Sequence, residues 1–218
     1  MPICAAQSPG SRLEVTLITD RLRSQDRLLA IASEAIDAGV DFVQVREKDL
    51  DSRALLALVR ELRKAIGGRS TRLLVNGRPD AAVVGGAHGV QLPETGLDVA
   101  AVRSGFPDLL IGASCHSLDA ALRAEQNGAD FVVFGPVFAT PGKEARATGL
   151  DGLAIVAQRL RIPVHAVGGI DAACANAVAA AGARGSAAIR LFIDTPAGQL
   201  ARVLRQMHDS GGRPRVVR

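Results

Sequence analysis

Apolar positions along this chain fall into short runs, and four of those runs follow nearly the same phrase. The phrases are Gly39-Val-Asp-Phe-Val-Gln-Val45, Gly86-Ala-His-Gly-Val-Gln-Leu92, Gly128-Ala-Asp-Phe-Val-Val-Phe134 and Gly182-Ala-Arg-Gly-Ser-Ala-Ala188. Each opens on a glycine suited to end a helix in the left-handed conformation, passes two or three turn residues, and enters an apolar run of buried-strand length. An equally apolar run lies between each pair of phrases, so every interval holds two strand-plus-helix units and the whole chain holds eight strands. Strands that alternate with helices imply parallel, right-handed crossovers. Eight such units in 218 residues point to an α/β fold, a single closed (β/α)8 TIM barrel, with its chemistry at the C-terminal ends of the strands.

The runs predict strands at 14–20, 41–47, 72–76, 89–92, 109–115, 131–137, 164–168 and 186–192, with helices in the gaps. The clearest helix runs from Ser52 to Ile66, where Leu55, Leu56, Val59, Leu62 and Ile66 form one stripe, with Asp51 or Ser52 as its cap and Gly67 and Gly68 after it. Another begins after Ser117, carries Asp119 in its first turn and ends at Asn127-Gly128. No Pro/Ser-rich linker divides the chain. Residues 1–12 read as a disordered N-terminal segment, 13–209 as the barrel and 210–218 as a basic disordered tail.

Composition narrows the partners. The 48% of hydrophobic residues suffices for a full core, and the formal net charge of +4 owes three charges to Arg213, Arg215 and Arg218 in the tail. With no Trp or Tyr and six Phe, few rings are available to stack on bases, so nucleic acid is not an expected partner. Cys4, Cys115 and Cys174 show no metal-ligand spacing and fit a reducing compartment. The N-terminus lacks a basic start followed by an apolar stretch, so neither a signal peptide nor a membrane anchor is expected and the protein is placed in the cytoplasm. A homo-oligomer is compatible with all of this.

Candidate chemistry sits where the strands stop. After strand two, alternation puts Gln44, Arg46 and Lys48 on the barrel-interior side and Val45 and Glu47 on the other. Two cations and an amide there suit an anionic ligand, and a salt-bridge network with Glu47 or Asp49 is the competing reading. Strand three ends in Asn76-Gly77-Arg78-Pro79, a polar turn at the mouth. Strand five ends in Ser114-Cys115-His116-Ser117. If Ser114 points inward so does His116, and a rim histidine beside a hydroxyl can move protons near neutral pH; the competing reading makes it a cap for the next helix. His88, His165 and His208 read as structural. The loop after strand six carries Thr140 and Lys143, the latter a ligand contact or a solvated charge. Gly168 and Gly169 after strand seven allow backbone N–H groups to approach a phosphate, and Arg190 stands at the end of strand eight.

Taken together, QVREK at 44–48, VNGRPD at 75–80, GVQLPE at 89–94, IGASCHSLDAALRAEQNGADFVVFGPVFAT at 111–140, the following Lys143 and VGGI at 167–170 resemble the thiamine phosphate synthase superfamily, which includes the TenI-type thiazole tautomerases. The resemblance implies a cytoplasmic TIM barrel acting on phosphorylated thiazole or pyrimidine precursors. A synthase of that family uses Mg²⁺, held by one Asp after the strand-three Asn and another in the loop after strand four. Here those positions are Gly77 and, by the spacing of Gln91-Leu-Pro-Glu94-Thr-Gly96, Gly96; Glu94 or Asp98 would have to substitute, and one carboxylate without the other makes a poor Mg²⁺ site.

The expectation that follows is a thiazole tautomerase, working without metal or cofactor. His116 is its acid/base residue, the phosphate lies on the amides near Gly168 and Gly169, and Lys143, with Gln44 or Arg46, contacts the carboxylated thiazole. The wider substrate-binding set is Gln44, Arg46, Lys48, Asn76, Ser114, Thr140, Lys143, Gly168, Gly169 and Arg190. The alternative is an Mg²⁺-dependent synthase coupling hydroxymethylpyrimidine pyrophosphate to thiazole phosphate, which the Gln44, Arg46 and Lys48 pattern favours. Arg190 replaces a small residue, commonly Ser, near the phosphate. A noncatalytic barrel that binds a phosphorylated ligand is the reading from another class.

Overall fold

The computed structural model describes residues 12–139 and 147–210. Within them eight parallel strands close in sequence order into a barrel: β1 (Glu14–Ile18), β2 (Phe42–Val45), β3 (Arg72–Asn76), β4 (Gly89–Leu92), β5 (Leu110–Cys115), β6 (Phe131–Phe134), β7 (Val164–Val167) and β8 (Gly185–Ala188). Closure comes from β1 pairing with β8, Glu14 opposite Gly185 and Leu17 opposite Ala188. Helices follow the strands: α1 (Arg21–Ser24), α2 (Leu28–Asp37), α3 (Ser52–Ile66), α4 (Pro79–Gly85), α5 (Val99–Gly105), α6 (Leu118–Gln126), α7 (Gly149–Arg159), α8 (Ala175–Ala180), α9 (Arg190–Asp194) and α10 (Leu200–Asp209). Each expected strand is present. Thr140 and Lys143, the expected N-terminal segment except Arg12, and the expected tail except Ser210 lie outside the described residues.

Alternation along the strands creates two cores. Val43, Val45, Leu73, Val75, Val90 and Leu92 face out and pack under the helices. Ile18, Phe42, Leu74, Phe131, Val133 and Ala187 face in and fill the barrel. Phe42 and Phe131 stand 5.7 Å apart by ring centroid, and His165 lies 5.6 and 5.0 Å from them. These rings fit because their neighbours lack side chains: a Cβ on Gly112 would fall 2.4 Å from Phe131, and one on Gly185 2.9 Å from the His165 ring.

Helix α3 has the expected limits. Asp51 is the cap, accepting from Ala54 N–H at 2.8 Å, and Gly67 ends the helix at φ 56°. Its buried face is Leu55, Leu58, Val59, Leu62 and Ile66, so Leu58 takes the place expected of Leu56, which is half-buried. Each of these buried side chains stabilises the docking by about 2 kcal/mol. Helix α6 also starts as expected, with Ser117 accepting from Ala120 N–H at 3.1 Å.

The eighth strand departs from expectation. The apolar run at 186–192 reads as one strand, but the chain leaves the sheet after Ala188 and Arg190 begins α9. The turn lets Phe192 bury completely against the helix layer, which an extended continuation into the mouth would not allow. Strands one, two and six likewise stop at Ile18, Val45 and Phe134, short of their expected ends.

Polar contacts tie the ends of the barrel together. Arg12, expected to be disordered, pairs with Asp41, which also accepts from Val15 N–H at 2.9 Å and lies 3.2 Å from His208 on α10. Buried His165 meets Glu14 at 3.1 Å. His88 Nδ1 accepts Leu73 N–H at 2.8 Å, extending the β3–β4 ladder. Burial alone would raise the Glu14 pKa, but the His165 hydrogen bond and the His165 and Arg184 charges outweigh it and hold the carboxyl below its ordinary value. Asp41 is lowered in the same way, against burial, by His208, Val15 N–H and Arg12. His88 is lowered by burial and by the charges of Arg63 and Arg72.

All three depressed groups stabilise the fold above their unfolded pKa values and lose that contribution as pH falls. The urea midpoint is therefore expected to decline modestly below about pH 6.5 as His88 is forced to protonate, and steeply below about pH 4 as Glu14 and Asp41 follow. His88→Gln should flatten the first decline. A midpoint constant from pH 7 to pH 5 in the parent protein would contradict the His88 assignment.

Candidate active site

The C-terminal ends of the strands form a mouth with a polar floor. Gln44 is buried inside the barrel and donates from Nε2 to Asn76 Oδ1 at 3.2 Å. Gln91 donates to Ser114 Oγ at 3.0 Å, and its own Oε1 is buried without a hydrogen-bond partner among the described residues. The structure thus brings Gln44, Asn76 and Ser114 to the expected place, and adds Gln91. Period-two alternation through Gly89 and Leu92 was a sufficient signal for Gln91.

Above this floor the acidic neighbours of strand two are already engaged. Glu47 is buried and accepts Arg21 N–H with both carboxylate oxygens, at 3.1 and 3.0 Å, while Asp49 pairs with the Arg21 guanidinium. Arg46 uses its backbone N–H on Thr19 Oγ1 at 2.9 Å, but neither its guanidinium nor the exposed Lys48 ammonium is ion-paired among the described residues. Arg21 therefore takes the partners that the salt-bridge reading assigned to Arg46 and Lys48. Both cations remain available to an anion. Lys48 also lines a cavity with Asn76, Gly77 and Arg78.

His116 lies just beyond β5 on the rim, its side chain 61% exposed. Its Nδ1 contacts Gly135 O, a carbonyl that can only accept, so Nδ1 carries the proton and Nε2 keeps its lone pair when the ring is neutral. Glu94, from the loop after β4, accepts His116 N–H at 3.0 Å and sets Oε2 3.8 Å from Nε2. The cap of α6 is Ser117, so His116 is not used for that purpose. His88, His165 and His208 sit in the ladder, in the barrel interior and on α10, away from the mouth.

Gly168 and Gly169 form the expected turn after β7, at φ 96° and 66°. They pack against the loop after β6: Val137 N–H donates to Val167 O at 2.8 Å and Phe138 N–H to Gly168 O at 3.0 Å. A Cβ on Gly168 would lie 2.5 Å from Pro136 Cβ, and one on Gly169 2.7 Å from Phe138 Cβ. The N–H groups of Gly168, Gly169 and Ile170 find no acceptor among the described residues, which leaves them available to an anion. Arg190 is exposed and opens α9 instead of ending a strand, and it forms no ion pair among the described residues.

The fit to a hard cation is poor. Gly77 is left-handed at φ 67°, with its N–H on Gln91 O, and Gly96 closes a tight turn with its N–H on Pro93 O, both at 2.8 Å. Asp98 is committed as the cap of α5, accepting from Ala101 N–H at 3.1 Å, and Glu94 is committed to His116. Among the described residues no three His, Cys, Asp or Glu side chains gather as a metal-binding group. Cys115 is buried behind β5, and that burial, with the Glu94 charge, pushes its thiol up to about 12, out of reach of nucleophilic chemistry at neutral pH.

Gly169→Ala places a methyl group into Phe138 at a left-handed position. Thermal denaturation should show a loss of roughly 1–3 kcal/mol, and NMR titration with inorganic phosphate should show weaker binding than in the parent protein. Unchanged stability and phosphate response would contradict the packing described for this turn.

Comparison with known proteins agrees with this architecture. A family model described as "Thiamine monophosphate synthase" matches residues 15–192. A Geobacter sulfurreducens protein, whose name assigns it provisionally as a thiamine-phosphate synthase, is 45% identical over 184 residues, 83% of this chain and 86% of that one. The "Thiamine-phosphate synthase" of Chloroflexus aurantiacus is 38% identical over 180 residues, 81% and 83% of the two chains. The solved "Thiamine phosphate pyrophosphorylase" of Pyrococcus furiosus superposes with a TM-score of 0.82 at 31% identity, covering 91% of this chain and 95% of that one. These names describe a transferase and back the synthase alternative better than the isomerase expected from Gly77 and Gly96. With a matching family model over most of its length and relatives this similar, the chain belongs to the thiamine monophosphate synthase family of TIM-barrel enzymes.

Proposed function

We propose that this member of the family is a thiazole tautomerase, aromatising a carboxythiazole phosphate by a proton shift that needs no metal. The observation that carries this reading is the composition of the mouth. The His116 side chain is exposed with its Nδ1 held by Gly135 O, while the two positions where the family holds Mg²⁺ are glycines in committed turns.

In this mechanism the substrate phosphate takes the free amides of Gly168, Gly169 and Ile170, assisted by Arg190. Arg46 faces the carboxylate, and Gln44, Asn76 and Ser114 line the remaining surface; Thr140 and Lys143, expected in this set, lie outside the described residues. His116 Nε2 removes the ring-carbon proton, the electron pair moves through the ring toward the exocyclic carbon, and the same proton is returned there. One C–H bond breaks and one forms. No oxidant or leaving group is involved, so a single acid/base residue suffices.

The second reading is the Mg²⁺-dependent synthase, favoured by the names of the relatives and by Arg46 and Lys48, which form no ion pair among the described residues. Its metal does not fit the described carboxylates, because Glu94 and Asp98 already serve other donors. No observation favours the noncatalytic barrel.

His116→Asn should reduce turnover of the carboxythiazole phosphate by about 100-fold or more, the range of a lost general base, while leaving the Kd for thiazole phosphate within about threefold. Stopped turnover assays with calorimetric binding check both numbers. A variant with the parent rate would remove His116 from the mechanism and the tautomerase reading with it.

A further inference from the structure

We infer that Glu94 is the positioning residue of His116, holding its backbone with a hydrogen bond and placing a carboxylate beside the nitrogen that works as the base. The inference rests on the tautomerase reading for its catalytic consequence, but its geometry stands without it.

Glu94 follows Pro93 in the loop after β4, and its Oε2 accepts His116 N–H at 3.0 Å. That contact bridges the ends of two neighbouring strands at the first residue beyond β5. The same oxygen lies 3.8 Å from His116 Nε2, and Gly135 O, at the end of β6, contacts Nδ1. The imidazole is therefore bracketed by an acceptor on each side, contributed by the two strands that flank β5. Glu94 is the one acidic group within ion-pair distance of the ring among the described residues.

Two consequences follow from elementary electrostatics. The carbonyl fixes which nitrogen carries the proton and leaves Nε2 with the lone pair that can act as a base. The carboxylate attracts the positive charge that His116 acquires when it takes the substrate proton, and a half-exposed pair at this distance retains part of that attraction. Neither role needs Glu94 to touch substrate. Asp98, the other acidic residue in this loop, caps α5 and has no part in it.

Glu94→Gln and Glu94→Ala separate the backbone contact from the charge, because the Gln side chain still offers an oxygen to His116 N–H. Long-range ¹H–¹⁵N correlation spectra of the histidine rings, with His116→Asn identifying the resonances, should show Nδ1 protonated in the parent and the Nε2 shift displaced in both variants. Turnover should fall about tenfold in both with KM within about twofold, since the lost interaction belongs to the step and not to binding. An unmoved Nε2 shift in Glu94→Gln, or parent-like kcat in that variant, would overturn the inference. If the parent itself shows no turnover above a protein-free blank, the tautomerase reading fails, and the ring spectra alone then decide whether Glu94 acts on His116.

Discussion

Closure of the sheet on itself, with β1 hydrogen-bonded to β8, is the constraint from which the site follows. A closed parallel barrel sends every strand's C-terminal end to the same rim, so residues far apart in the chain meet there without individual contacts arranging it. Closure also demands a filled interior. Phe42, Phe131 and His165 fill the middle, and the missing side chains of Gly112 and Gly185 give those rings their space. The Glu14–His165 pair lies within this interior and joins the first strand to the seventh.

Polar groups at the rim divide into those that hold the mouth and those left for a ligand. Arg21 takes Glu47 and Asp49, Asp98 caps α5, Ser117 caps α6 and Glu94 takes His116. Left without an ion pair among the described residues are the Arg46, Lys48 and Arg190 side chains, with the amides after β7 beside them and the buried Gln91 Oε1 as an unmet acceptor in the floor below. A mouth so arranged favours an anion. The same distribution explains why a hard cation fits poorly, since the nearby carboxylates already serve other donors.

Much of the fold was legible because its signals are local. A glycine at a helix end, a turn and an apolar run recur along the chain; alternation then assigns Gln44 to the interior, and the strand ends put Asn76 and Ser114 at the mouth. Strand eight misled because Ile189-Arg190-Leu191-Phe192 is apolar enough for a strand, while the burial of Phe192 under the helix layer depends on tertiary packing. Leu56 and Leu58 exchanged places for a similar reason: Leu55, Leu56, Leu58 and Val59 crowd into little more than one turn of α3, and tertiary packing selects among them. At the site, the capture of Glu47 and Asp49 by Arg21 and the contact of Glu94 with His116 join residues about twenty or more apart, on different loops. Spacing within one segment holds no trace of such pairs.

The named relatives are thiamine-phosphate synthases, whereas the reading proposed for this chain is a proton shift at His116. The most direct test is an NMR time course of the purified protein with the unaromatised carboxythiazole phosphate, run in excess EDTA and again in Mg²⁺. Aromatisation faster than the protein-free blank, at the same rate in both, is the expected result. No acceleration in EDTA, together with Mg²⁺-dependent release of pyrophosphate once the pyrimidine pyrophosphate is added, would contradict it and establish the coupling reaction instead.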